Sequence, residues 1–261
     1  MRVIENLLLT GFVTVENKLS FSDAIALSSG CNPREIGIGT LAEKSLHRTL
    51  KFYFEPDESK HEIECCGMVA DILNEQGIIE IQTRSFNKLI PKLERFLMEG
   101  HVTVVYPIIE RKYICRVDTV TGETSSRRKS SKIGKVSDAL SEVFAIRGFV
   151  PHDRLTIMLV LVDAVETRML HGKIKVGRKR TEKLDCQPIS LNSIVVLKRA
   201  EDYYQILPSN LPEEFTAVEF SRITKQNGID SNASIKLLLQ LGVLKRDKRG
   251  GRAYIYYINK K

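Results

Sequence analysis

Residues 68–83 read Met68-Val69-Ala70-Asp71-Ile72-Leu73-Asn74-Glu75-Gln76-Gly77-Ile78-Ile79-Glu80-Ile81-Gln82-Thr83. Two apolar runs, 69–73 and 78–83, flank an Asn-Glu-Gln-Gly segment with the chemistry of a turn, so the stretch predicts a β-hairpin. Residues two apart on a strand share a face, which sends Glu80 and Gln82 one way and Ile79 and Ile81 the other. The run from Ile78 to Ile81 is nearly continuous in apolar character, as in a strand covered on both sides. A carboxylate and an amide are costly to bury there without partners. A hard divalent cation is one such partner, because Mg²⁺ takes one or two carboxylates and fills its other positions with water and substrate phosphate. Asp71, on the neighbouring strand, offers the second carboxylate. The plainer alternative is a hairpin with one solvated polar face, which alternating strands commonly form.

Upstream, Leu41, Leu46, Thr49, Leu50 and Phe52 fall at helical spacing behind Thr40, and Glu43 stands three residues after that threonine, as in a capping box. Glu43 therefore reads two ways, as a helix cap or as an outer acid that orders a metal-bound water. His47 lies one turn later on the same face; such a histidine is more often held by a partner than used as a base. Downstream, residues 85–98 read as a helix and 102–109 as an apolar strand.

This order of helix with Glu43, strand, strand with Asp71, strand with Glu80-Ile81-Gln82, helix and strand resembles the PD-(D/E)xK nuclease superfamily, the restriction-endonuclease-like fold. The resemblance implies an α/β protein with a mixed central sheet flanked by helices. It places the two metal-binding acids on Asp71 and Glu80, with the Ile81 carbonyl as a further ligand and Mg²⁺ or Mn²⁺ as the cofactor. The lysine of the family falls on Gln82, which carries no positive charge, so metal ions would bear more of the transition-state stabilisation. The implied activity is hydrolysis of phosphodiester bonds, most simply by a DNA endonuclease of restriction or defence type. The missing lysine favours an alternative, a nuclease fold that has kept only DNA binding or an adaptor role. A metal site does not distinguish sugars, so an RNA-processing nuclease is a third reading.

Composition bounds these readings. With 261 residues, 43% of them hydrophobic, the chain can build one large core and a smaller module. The five cysteines form no C-x-x-C pair, and adjacent Cys65 and Cys66 suit no simple disulfide framework, so a reducing cytoplasm is expected and zinc is not. No run reaches the roughly 20 apolar residues of a membrane span. The stretch near Leu7 to Leu9 lacks the basic flank and cleavage site of a signal peptide. Residues 1–38 read as an extension with a hairpin and a short helix near 21–28, residues 39–200 as the nuclease-like domain, and 201–261 as a separate module.

Charge is uneven along the chain. Residues 1–167 hold 21 Lys and Arg against 23 Asp and Glu, whereas residues 168–261 hold 19 against 9. After a proline-punctuated linker at 206–212, Thr216 and Glu219 spell another capping box opening a helix to about 226. Asn227-Gly228 reads as its end. Ser231 reads as the cap of a second helix whose Ile235, Leu238, Leu239 and Leu241 form an apolar stripe ending at Gly242. A hairpin over 243–258 follows. Helix, turn, helix and hairpin in this order resembles winged helix-turn-helix domains. That resemblance implies a recognition helix presenting Asn232, Ser234 and Lys236 to double-stranded DNA, with Lys245, Arg246, Lys248, Arg249 and Arg252 on the wing holding phosphates. Such domains also serve as protein adaptors. Removing residues 208–261 should then weaken binding more than it alters metal chemistry.

Between the modules, Arg127, Arg128 and Lys129, with Lys132 and Lys135, form a basic cluster in a serine-rich stretch after a predicted hairpin at 113–124. It reads as a loop that clamps a nucleic-acid backbone or is simply solvated. Residues 137–146 read as a helix, 155–169 as a long apolar strand, and 173–180 as a charged hairpin tip. Cutting both strands of a duplex takes two active sites, which fits a homodimer.

Overall fold

The computed structural model describes residues 19–29, 45–118, 121–173, 179–247 and 253–259. The protein is α/β, built on a seven-stranded mixed sheet flanked by helices. Helices α1 (Phe21–Ser29) and α2 (Ser45–Phe54) lead into the antiparallel strands β1 (His61–Cys65), β2 (Met68–Asn74) and β3 (Gly77–Ile81). Helix α3 (Ile90–Glu99) then crosses to β4 (Val102–Asp118), which runs parallel to β3. After β5 (Arg128–Ile133) and the short α4 (Leu140–Ala145), β6 (Leu155–Lys173) lies parallel to β4 and returns antiparallel as β7 (Lys179–Leu197). The sheet order is β1-β2-β3-β4-β6-β7, with β5 paired to β4.

Each central strand serves two apolar layers, which is why the sequence there shows runs rather than alternation. On one face, Leu46 and Leu50 of α2 pack against Ile72, Ile79, Ile81, Val105, Met158 and Val160. On the other, Leu93, Phe96 and Leu97 of α3 join Ile78, Val102, Val104, Leu155, Ile157 and Leu159. Pro91 sits in the first turn of α3, where its missing amide costs nothing. The β2–β3 turn has the predicted chemistry. Gly77 adopts φ +108°, and a Cβ there would lie 2.4 Å from the His101 carbonyl oxygen, so the turn admits only glycine.

Strand lengths set the shape around the sheet's far end. β3 stops at Ile81, opposite Val105, while β4 continues through 118 beside β6 and β7. Those 13 extra residues span about 40 Å at strand rise. The sheet therefore carries a long arm beyond the end of β3. Most of the expected loop around Arg127 to Lys132 belongs to this arm as strand β5, from Arg128 on, with Tyr113 opposite Lys129 and Ile114 opposite Arg128. The cause is backbone pairing: the outer half of β4 offers an open edge that the sequence composition alone does not reveal.

The last segment contains β8 (Glu214–Phe215), α5 (Ala217–Thr224), α6 (Gly228–Gln240), β9 (Leu244–Asp247) and β10 (Ile255–Ile258), with a second sheet ordered β8-β10-β9. The Thr216–Glu219 capping box is present, with each side chain on the other's backbone amide. The inter-helix turn differs from the expected one. Lys225 ends α5 in the left-handed region at φ +58°, and Asn227, not Ser231, caps α6 by accepting from the Asp230 amide at 2.9 Å. The cap therefore stands four residues earlier than expected, which places Ser231 inside the helix, and both Ser231 and Ser234 are buried. Gly242 stops it at φ +69°, as its position predicts. Phe215, Phe220, Leu237, Leu238 and Tyr256 share one apolar cluster with Phe86, Leu140, Val143 and Leu197 of the sheet domain. No helix among the described residues is long and apolar enough to cross a membrane. The expected hairpin before residue 19, the Thr40–Glu43 cap and the tip of the 243–258 hairpin lie outside the described residues.

Candidate nucleic-acid hydrolysis site and basic surfaces

The β2–β3 ladder pairs Asn74 with Gly77, Leu73 with Ile78 and Ile72 with Ile79, and then opens. At that open end the two acids take over the role of backbone partners. Asp71 Oδ2 accepts from the Ile81 amide at 2.7 Å, and Glu80 Oε1 accepts from the Asp71 amide at 3.2 Å. Each carboxylate thus satisfies the backbone of the other's strand, which holds both at one place. Glu80 is 3% exposed. Lys92 of α3 reaches down from the flanking helix and donates to both Glu80 oxygens, at 3.0 and 2.8 Å. From the opposite layer, His47 of α2 places Nε2 3.3 Å from Asp71 Oδ2.

The two acids titrate in opposite directions. Burial and the adjacent Asp71 charge push Glu80 up to about 7, although Lys92 pulls against them. Burial also works to raise Asp71, but the His47 hydrogen bond and charge, the Ile81 amide and Lys92 outweigh it and hold that carboxyl below its ordinary value. A close pair of buried carboxyls with separated affinities for protons is a pattern found at functional sites. It is also a place where added positive charge is favourable.

The donor chemistry fits a hard divalent ion in an open site. Two carboxylates at the mouth of a splayed strand pair, with the Ile81 carbonyl on the next residue, match the one or two protein carboxylates that Mg²⁺ uses with water and phosphate. They do not form a closed cage, since among the described residues no group of three or more His, Cys, Asp or Glu side chains is arranged to hold a metal. Glu43, expected as an outer acid, lies outside the described residues.

Gln82 stands where its sequence position predicts, directly after Ile81, with its amide nitrogen bonded to the Val105 carbonyl at 2.8 Å. Its side-chain nitrogen is held by the Ser85 carbonyl at 2.5 Å, so the amide fixes the turn into α3. Positive charge comes instead from Lys92, which the sequence reading did not single out. A signal for it exists. Leu89, Leu93 and Phe96 form the buried stripe of this helical segment, and Lys92 borders it. Tyr106 follows Val105 on β4 and packs edge-on against Phe86 with ring centroids 5.1 Å apart. Tyr106 opens onto a cleft of about 810 Å³ of mixed charge, lined by Lys132, Lys135 and Lys225 together with Asp138, Glu142 and Asp230.

The expected nucleic-acid contacts divide into three groups. Asn232, Lys236, Lys245 and Arg246 are exposed, and Arg246 stacks over the Tyr254 ring at 4.6 Å. Arg127, just before β5, and Arg128 and Lys129 at its start are exposed. Ser234 is a correction: it is fully buried, donating to the Asp230 carbonyl at 2.8 Å and the Gln226 side-chain oxygen at 3.1 Å, because it sits one turn before Leu238 on the packed face of α6. Lys248, Arg249 and Arg252 lie outside the described residues. The candidate recognition helix α6 also packs against α4, and Gln240 donates to the Arg147 carbonyl at 2.9 Å.

Comparison with known proteins adds family and kinship. A relative from Treponema pallidum (strain Nichols), carrying the name "Uncharacterized protein", is 28% identical over 220 residues, which cover 84% of this chain and 86% of the relative. No solved structure matches. The family model described as "Domain of unknown function (DUF8091)" matches residues 44–198, a span that includes His47, Asp71, Glu80, Gln82, Lys92 and the whole sheet arm. That span exceeds half of the chain, and the protein belongs to this family.

Proposed function

We propose that the protein is a metal-dependent nuclease with a restriction-endonuclease-like core, acting on DNA, and that its last sixty residues form a winged helix-turn-helix module. The observation that supports this reading best is the meeting of Asp71, Glu80 and Lys92 at the open end of the β2–β3 ladder. Asp71, Glu80 and the Ile81 carbonyl would hold Mg²⁺ or Mn²⁺, which supplies a water of lowered pKa and neutralises phosphate charge. His47 holds Asp71 in place and, with the Ile81 amide, keeps it ionised. Lys92 keeps a cation at Glu80 and stands in for the lysine that Gln82 replaces. The element order α2-β1-β2-β3-α3-β4 and the parallel β3–β4 pairing agree with the core that the sequence resembles.

Incubation of the purified protein with plasmid DNA, with and without Mg²⁺ or Mn²⁺, tests the proposal. Nicked or linear product should appear only with the ion and disappear in Asp71→Ala and Glu80→Ala, both of which should still bind DNA. Cleavage unaffected by both substitutions would remove the assignment. One observation favours a second reading, a non-hydrolytic DNA-binding protein: Lys92 already neutralises Glu80 where a metal ion would act. Calorimetric titration with Mn²⁺ separates the two, since the enzyme binds the ion and loses it in Glu80→Ala. Competition among duplex DNA, single-stranded DNA and RNA identifies the substrate.

A further inference from the structure

The positive charge of this chain is concentrated in one structural unit. The described residues of the sheet arm and its connections, 110–118, 121–135, 163–173 and 179–190, hold 13 Lys and Arg against 7 Asp and Glu. The whole chain holds 40 and 32, so the remaining residues contain 27 and 25 and are close to neutral. Most of the net charge of +8 is therefore that of the arm.

Three acids of the arm, Asp163, Glu166 and Asp185, are held by partners within the protein. Asp163 accepts from the Arg111 amide at 3.1 Å and the Asn192 side chain at 2.8 Å. Asp185 receives the Ser45 amide at 3.2 Å and the Ser45 hydroxyl. Glu166, 3% exposed, gathers Lys112, Arg168 and Lys183 at 3.2, 2.5 and 3.6 Å. One buried carboxylate thus organises three cations from three adjacent strands. Arg127, just before β5, and Arg128, Lys129 and Lys132 on it add exposed charge. Lys132 also lines the cleft that opens at Tyr106, one residue past the register of Ile81.

We propose that this arm is the main nucleic-acid-binding surface of the protein, gripping a phosphate backbone along β4–β5–β6–β7 and leading it past the Asp71–Glu80 site. The inference rests on the proposed nuclease reading for the identity of the polyanion. The arm overhangs the end of β3 where the two acids open, and its length of about 40 Å matches roughly twelve base pairs of duplex at 3.4 Å each. The carboxy-terminal module, whose helix α6 is partly occupied by packing on α4, then makes the lesser contribution.

The test uses the full chain carrying Glu80→Ala, without divalent cations, so that binding is read apart from cleavage. Fluorescence anisotropy with a labelled 30-base-pair duplex and with a 30-nucleotide single strand measures affinity across a salt series. The triple substitution Arg127→Gln, Arg128→Gln, Lys129→Gln alters only exposed side chains. It should weaken nucleic-acid binding at least tenfold at about 0.1 M salt, and flatten the slope of log affinity against log salt by about 2–3, at close to one unit per lost phosphate contact. The pair Lys245→Gln, Arg246→Gln should do less. An unchanged affinity and slope in the triple variant would overturn the arm, as would binding to phosphatidylserine vesicles with none to nucleic acid. Metal-dependent cleavage by the parent with undiminished binding in the triple variant removes the arm alone. Arm-dependent binding without any cleavage keeps the arm and removes the nuclease.

Discussion

At the scale of single residues, the chemistry of the site depends on which group supplies positive charge. Glu80 is nearly inaccessible and its carboxyl is pushed up to about 7 by burial and by Asp71, so the neighbouring ammonium of Lys92 decides how readily it ionises. Lys92→Ala should lower metal-dependent cleavage about a hundredfold, the order seen for loss of one positioned electrostatic or proton-handling group. Lys92→Arg should restore a measurable part. Equal rates for wild type and Lys92→Ala would show that the lysine is merely a structural counter-ion. The contrast with what was readable in the sequence is physical. Asp71 and Glu80 could be found because strand periodicity is local and their separation is set by a four-residue turn. Lys92 gives only the weaker signal of bordering the Leu89, Leu93 and Phe96 stripe, because its approach to Glu80 depends on how those residues seat α3 on the sheet. Ser234 is buried for a local reason: it lies four residues before Leu238 and next to Ile235, on the same face of the helix as that apolar stripe.

At the scale of elements, the arm shows how hydropathy marks the edge of the core rather than the end of a strand. The sequence reading stops β4 at 109, where Glu110-Arg111-Lys112 interrupts the apolar run, yet the strand continues to Asp118 through a register shift between Ile109 and Lys112. Beyond that shift the strands pair as before but carry fewer buried residues, so their polar side chains give no strand signal. Glu166 is the exception that holds this region together. Burial works to raise its carboxyl, but the hydrogen bonds and charges of Arg168 and Lys112 bring it below the ordinary value. A carboxyl lowered on folding contributes stability above its unfolded value of 4.5, and that stability is lost as pH falls through the folded value. Glu166→Gln should therefore cost about 2 kcal/mol at pH 7, in the range for charged hydrogen bonds, and progressively less as the solution is acidified below about 4.5. Urea denaturation of both proteins at pH 7 and pH 3.5 measures this. A gap of the same size at both values would mean that the glutamate acts through shape and not through charge.

At the scale of the whole molecule, the last sixty residues behave as part of the core. Their charge and their proline-rich connection suggest a detachable module, but connection chemistry reports only the backbone, whereas cooperativity is set by what the side chains bury. Leu237 and Leu238 are fully buried in the same cluster as Phe86, Leu140, Val143 and Leu197, and Gln226 reaches the Ser137 carbonyl at 3.0 Å. Separating the module would expose both sides of this contact to water, at roughly 25 cal/mol per Å² of apolar surface. Scanning calorimetry should therefore show one transition for the full chain. Leu238→Ala, which removes the isopropyl end of a fully buried side chain, should cost about 2–5 kcal/mol and lower that single transition by roughly 5–15 °C. Deleting residues 208–261 should abolish the near-ultraviolet circular dichroism of the sheet domain along with DNA binding, so the truncation cannot separate binding from metal chemistry. Two transitions, with Leu238→Ala moving only one, would instead establish independent domains. In that case the α6–α4 contact would be a docking surface able to open.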